Sequence, residues 1–180
     1  MQPIKQLEHV LAKLADRDHY LFAATDLQGA LPGHGDLPVL LSRAAKAGLL
    51  KRVCRGLYLY PRIEHPSGLL LFHAAARLRA DEFNYISLES ALSDAGAISQ
   101  MPINAITLMS SGRSNVIRCG DFGRIEFVHT IRGPDDLANQ LTYDADCHLW
   151  RASVALALRD MRATHRSLEL IDWEAVHELV

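Results

Sequence analysis

A capped helix running directly into a basic hairpin constrains this chain more than any other feature. Asp36 is a good N-cap, because its carboxylate can accept from the first orphan amides of a helix. Pro38 falls in the first turn, where a missing N–H costs little. Leu37, Leu40, Leu41, Ala44 and Ala47 follow at helical spacing, and Gly48 is placed to end the helix in a left-handed cap. Val39, Ser42, Arg43 and Lys46 lie three and four residues apart on the opposite face. Two β-prone runs follow, Leu50 to Cys54 and Leu57 to Tyr60, with Arg55-Gly56 as the turn. Lys51, Arg52 and Arg55 load this hairpin with positive charge. Leu57 and Leu59 alternate with Tyr58 and Tyr60, so one face should pack while the other is amphipathic.

Two helices are predicted ahead of this unit. Ile4, Leu7, Leu11 and Leu14 give residues 3–15 a helical period, which Asp16 to His19 breaks. Tyr20, Leu21 and Phe22 form a short apolar stretch that can anchor the loop. Thr25-Asp26-Leu27-Gln28 fits a capping box that starts a short second helix at Thr25, and Pro32, Gly33 and Gly35 stop it within two turns. Helix, short helix, helix and basic hairpin is the plan of a winged helix-turn-helix. A tight turn after a short helix sets the next helix across it, so that it protrudes and fits a major groove, while cations on the wing meet phosphate. On this reading Val39, Ser42, Arg43, Lys46, Lys51, Arg52 and Arg55 contact duplex DNA, and Arg43 can bind guanine through its fork. Taken singly, a solvated helix face and a charge-protected strand edge explain the same residues. Their order and spacing favour DNA.

Charge distribution agrees. Of the chain's 19 Lys/Arg and 21 Asp/Glu, nine and five fall in residues 1–62, leaving the rest with ten and sixteen. A basic first third beside an acidic remainder suits a nucleic-acid module joined to something else. The chain has 180 residues, enough for two small domains. Residues 1–62 are expected to form the winged helix and 69–180 an α+β domain, with Glu64 to Gly68 as the linker. No apolar run approaches the ~20 residues needed to span a bilayer. No apolar stretch follows a basic start after Met1, so a cytoplasmic protein without membrane association is expected. Cys54, Cys119 and Cys147 show no C-x-x-C spacing and read as reduced, buried thiols.

In the second domain, Leu69 to Leu78 reads as a deeply packed helix, Tyr85-Ile86 as a strand, and Leu88 to Ala95 as a helix capped by Ser87 and ended by Gly96. Strands are expected at Ala105–Met109, Val116–Cys119 and Ile125–Val128. The last two form a hairpin about Gly120 to Gly123, giving a small antiparallel sheet. Pro134-Asp135-Asp136 looks like a helix start. Leu149 to Met161 reads as one apolar helix, and Asp172 as the cap of a last helix.

Three constellations invite chemistry. Asp144-Ala145-Asp146-Cys147-His148 can hold a divalent metal or resemble the paired aspartates of nucleotidyltransferases, but local capping ahead of a helix is favoured. Ser110 to Ser114 can cradle a phosphate through backbone amides, yet lacks P-loop spacing and reads better as a connecting loop in which Arg113 can touch a partner. The nine histidines show no metal spacing, and His9 and His73 sit on helical segments. No enzyme, metal or cofactor is expected.

The run Leu49-Leu50-Lys51-Arg52-Val53-Cys54-Arg55-Gly56-Leu57-Tyr58, following the Leu40–Ala47 helix, resembles the winged helix-turn-helix of the AbiEi family, antitoxin-type transcriptional regulators of type IV toxin–antitoxin systems. Asn84-Tyr85-Ile86-Ser87-Leu88-Glu89-Ser90-Ala91-Leu92, followed by Gly96 and the Ile103–Met109 strand, resembles the start of that family's second domain. The resemblance spans roughly residues 20 to 130, and the chain departs from the family after Thr142. It implies repression of the protein's own operon through promoter repeats. It also implies antagonism of a nucleotidyltransferase-like toxin without a stable complex. The alternative is a stand-alone winged-helix regulator whose second domain senses a ligand or partner.

Overall fold

A computed structural model describes residues 2–99 and 104–180. The chain is α+β and divides into two compact units, Met1–Leu70 and Leu71–Val180.

The first unit opens with helix α1 (Pro3–Leu14), then strand β1 (Leu21–Phe22), helix α2 (Ala24–Leu27), helix α3 (Leu37–Lys46) and strands β2 (Lys51–Cys54) and β3 (Leu57–Leu59). Leu7 and Leu11 of α1 pack with Leu27, Leu40, Leu41 and Ala44 in one core. The order of elements is that of a winged helix-turn-helix. Tyr20 to Phe22 does more than anchor a loop. It adds a third strand, in the order β1-β3-β2, with Leu21 opposite Leu59 and Phe22 opposite Tyr58. The expected amphipathic face of the hairpin is also corrected. β3 is bonded along both edges, and packing covers both of its faces: Leu57, Tyr58, Leu59 and Tyr60 are all buried, with Tyr58 and Tyr60 in the core beside α1 and α3.

The start of α2 also differs from the expected Thr25 cap. The helix begins one residue earlier, and Asp26 reaches back to accept from the Ala23 N–H at 2.6 Å. A carboxylate accepts this charge-assisted bond better than the Gln28 amide would. Thr25 is left inside the first turn. The boundaries of α3 match expectation. Asp36 accepts from the Val39 N–H at 3.1 Å, and Gly48 takes φ +78° while Leu49 N–H closes on the Ala44 carbonyl.

The second unit begins with α4 (Leu70–Leu78), entered from a 3₁₀ turn at Ser67–Leu69. It continues through β4 (Asn84–Ile86), α5 (Leu88–Asp94), β5 (Ala105–Ser110), β6 (Asn115–Arg118), β7 (Arg124–His129), α6 (Pro134–Leu137), β8 (Leu141–Asp144), β9 (Leu149–Ala152), α7 (Val154–Ala163) and α8 (Trp173–Leu179). The strand expected at Ala105–Met109 is β5; Ile103, where the family resemblance begins that strand, lies outside the described residues, as does Met1.

Six strands form one sheet in the order β6-β7-β5-β4-β9-β8. The expected hairpin is β6–β7, and β4·β5 and β8·β9 are antiparallel as well. Two further pairs, β5·β7 and β4·β9, are parallel. No crossover helix is needed for β5·β7. From β5 the chain passes outward to the edge strand β6 and returns between them as β7, so the first and third strands of the excursion point the same way.

Leu149 to Met161 is not one helix. Leu149–Ala152 is strand β9, and the helix starts after Ser153, whose hydroxyl accepts from the Leu156 N–H at 3.2 Å. Both halves are apolar, and the N-cap serine between them is the break. Ser87 does not cap α5 either. Its hydroxyl donates to Asp160 at 2.8 Å. The junction is held instead by Thr107 and Ser90, which exchange backbone-to-hydroxyl bonds at 2.8 and 3.0 Å. It also carries strain, because fully buried Leu88 takes φ +56°, costing an L-residue about 1–2 kcal/mol.

Candidate nucleic-acid interface

Helix α3 presents two faces with different chemistry. Leu37, Leu40, Leu41 and Ala44 are buried, and the hydrophobic effect fixes the helix through them. The other face turns Val39, Arg43 and Lys46 to solvent with Ser42 half-buried, and Val39 keeps 50% of its surface. A half-exposed valine between a serine and an arginine suits contact with a thymine methyl beside hydrogen bonds to base edges.

Four residues after α3, β2 starts with Lys51 and Arg52, both exposed, before Val53 and Cys54 turn inward. The β2·β3 register slips between Arg52 and Cys54, and such a bulge increases local twist. Arg55 sits exposed in the turn, and Gly56 beside it takes φ +79°, a conformation any side chain would strain. Arg52 Nε donates to the Cys54 carbonyl at 3.3 Å. Among the described residues, Arg43, Lys46, Lys51, Arg52 and Arg55 make no salt bridge, whereas Arg62 of the same unit is held by Glu8. The five cations therefore keep their charge available to an external anion. The structure brings all seven sequence-predicted residues into one unit, on one helix and the hairpin that follows it.

The other constellations resolve into local structure. Asp144 ends β8, and its Oδ1 accepts from the Asp146 and Cys147 amides at 3.1 and 3.0 Å, so the motif caps a β8–β9 hairpin turn rather than a helix. Burial pushes the Asp144 carboxyl up, but hydrogen bonds from Arg151 and from the Cys147 amide outweigh it and leave it below the ordinary carboxylate range. Burial pushes the Cys147 thiol up to about 12, so it stays protonated and unreactive near neutral pH. His148 stacks on His73, with ring centroids 4.7 Å apart. Among the described residues no group of three or more His, Cys, Asp or Glu is arranged to hold a metal.

Ser110 to Ser114 spends its polar groups internally. The Ser110 hydroxyl accepts from Arg79 at 2.8 Å and from the Gly112 amide at 3.1 Å. Ser111 and Ser114 accept from the Phe83 and His129 amides. Ser111, Arg113 and Ser114 remain exposed, and the Arg113 guanidinium makes no salt bridge among the described residues.

One polar centre carried no signal in the sequence. Asp160 on α7 is 1% exposed, yet it accepts from Ser87 at 2.8 Å, Tyr85 at 3.0 Å and Arg132 at 3.2 Å. Burial raises its carboxyl above the ordinary value despite those donors. Its partners lie 73 and 75 residues away for Ser87 and Tyr85, so no local spacing could reveal them.

Among described residues, no helix is long and apolar enough to cross a membrane. Residues 9–61 match the family described as "Transcriptional regulator, AbiEi antitoxin". That span runs from the middle of α1 through the wing and covers six of the elements above. No curated protein matches the chain.

Proposed function

We propose that the protein binds duplex DNA through α3 and the β2–β3 wing and represses its own promoter as the antitoxin of a type IV toxin–antitoxin pair. The observation that carries this reading is the outward face of α3 continued by the wing. Arg43, Lys46, Lys51, Arg52 and Arg55 are exposed there and free of carboxylate partners. A helix of that kind reads base edges in the major groove, and wing cations neutralise phosphate. The family match over residues 9–61 supports a transcriptional regulator of the antitoxin type. A nucleotidyltransferase-like toxin, countered without a stable complex, follows from the same resemblance.

The test is a fluorescence-anisotropy titration of the full chain against the DNA upstream of its gene, over a salt series. Roughly five phosphate contacts give a log–log slope near −4.5. A salt-independent signal, or equal affinity for unrelated duplex, would refute the operator reading. Co-expression with the neighbouring gene tests the antitoxin role separately, since growth rescue should not require a co-purifying complex.

A further inference from the structure

Four arginines of the second unit are held by carboxylates. Arg79 is paired with Glu82 at 3.2 Å, Arg132 with Asp160 at 3.2 Å, Arg151 with Asp144 at 2.7 Å and Arg166 with Glu126 at 2.8 Å. Of the others that make no salt bridge among the described residues, Arg113, Arg118, Arg124, Arg159 and Arg162, two are set apart by register: Arg118 and Arg124. They are direct partners across the β6–β7 hairpin, so their side chains leave the same face of the sheet. Like charges directly opposite destabilise a sheet. Neither makes a salt bridge among the described residues; Glu126, two residues along the same face, is bonded by Arg166 and also lies within reach of the Arg124 charge.

Both arginines line an open cleft of about 640 Å³. Its floor is the hairpin turn, where Gly123 takes φ +117° and a Cβ would lie 2.0 Å from the Asn104 carbonyl oxygen. A side chain there would therefore collide with fixed backbone. One wall is apolar, made by Ala105 and by Val116, which is 53% exposed.

We infer that this cleft binds a phosphate monoester carrying an apolar or planar body, of nucleoside-monophosphate size. Cross-strand partners have Cα atoms about 4.5–5.5 Å apart, so two guanidinium forks can converge on one group. Two such cations match a dianion. A phosphate monoester carries about −1.5 to −2 at neutral pH, whereas a carboxylate or a backbone phosphodiester carries only −1. The cleft's volume lies in the range of small-molecule sites, about 300–1,000 Å³, and exceeds what a bare phosphate needs. The exposed valine gives the ligand's body an apolar surface. Ligand charge would also relieve the repulsion between the arginines, a cost the free protein carries.

The test is calorimetric titration of the full chain with adenosine 5′-monophosphate, adenosine, inorganic phosphate and a short duplex oligonucleotide. The monophosphate should bind at least about tenfold tighter than adenosine or inorganic phosphate, and its affinity should fall as pH drops through about 6, where the second proton returns to the phosphate. Arg118→Ala and Arg124→Ala should each weaken binding about tenfold or more. Arg118→Lys keeps the charge but loses the fork, and should weaken it too. Arg113→Ala, outside the cleft, should change nothing. Without ligand, the Tm of Arg118→Ala should equal or exceed that of the parent. Operator binding, followed with the same variants, should be unaffected, which separates this site from the α3 face. Four results would overturn the proposal: monophosphate binding no tighter than adenosine, inorganic phosphate binding as tightly as the monophosphate, unchanged binding in the arginine variants, or displacement by the oligonucleotide.

Discussion

The two units use several of their cations differently. On α3 and the wing, five lysines and arginines are exposed without carboxylates, whereas Arg62 of that unit is, among the described residues, tied to an acid, Glu8. In the second unit Arg166 bridges two glutamates, Glu89 at 2.5 Å and Glu126 at 2.8 Å. Arg151 similarly bridges Asp94 and Asp144. A paired arginine fixes structure; an unpaired one keeps its desolvation and pairing energy for a partner. The difference teaches where that charge acts: outward on α3 and the wing, inward at Arg79, Arg132, Arg151 and Arg166 of the second unit.

The largest expected effect breaks the inward side. Asp160→Ala leaves the Ser87 and Tyr85 hydroxyls and the Arg132 guanidinium without their acceptor, which should cost about 2–4 kcal/mol. Both tryptophans, Trp150 and Trp173, lie in the second unit, so their fluorescence during urea unfolding reports that unit alone. A loss below about 0.5 kcal/mol would mean the cluster contributes nothing to stability.

Next in size is the outward side. Arg43→Ala should cost about 1–3 kcal/mol of operator binding at one base position while changing stability by less than about 0.5 kcal/mol. Lys51→Ala should weaken all sequences alike and reduce the salt slope by about one. If Arg43→Ala instead unfolded the protein and left affinity intact, the contrast between the units would collapse.

Two carboxylates sharpen the inward side through pH, with opposite signs. Hydrogen bonding to Arg166 holds Glu126 below the usual range despite partial burial. Its contribution is therefore present above the unfolded-state value of about 4.3 and lost as pH falls through the folded value. Burial holds Asp160 above the usual range. Its contribution is present below about 3.9 and lost as pH rises through the folded value. Asp160→Asn keeps an acceptor for Ser87 and Tyr85 and removes the titration. Its stability relative to the parent should rise as pH climbs from about 4, read by the same tryptophan signal. A parallel pH profile for the two proteins would contradict the raised carboxyl.

The smallest effect belongs to Val39. At 50% exposure it adds little to the core, so Val39→Ala should shift stability by less than about 0.5 kcal/mol. Any larger consequence should appear in operator discrimination.

Much of the first unit could be read residue by residue, because its signals are local. Asp36, Pro38 and Gly48 bound α3, and the same period that buries Leu40 and Ala44 exposes Arg43 and Lys46. Thr25 misled because a nearby Asp26 is the stronger cap. In the second unit local signals ran out. Leu149 to Met161 is mostly apolar on both sides of Ser153, so only pairing with β4 and β8 shows that its first four residues form a strand. The β6–β7 hairpin was legible, but the opposition of Arg118 and Arg124 depends on register.

What the sequence determined by itself is therefore the set of short-range structures, caps, turns and helix faces, and with them the exposed cations of α3 and the wing. Only the tertiary structure decided which strands lie side by side, why β3 is covered on both faces, and which arginines meet a carboxylate. The physical reason is distance along the chain. Helical period and capping act over three or four residues, whereas the Asp160 cluster and the mixed sheet join residues dozens apart that nothing local requires to meet.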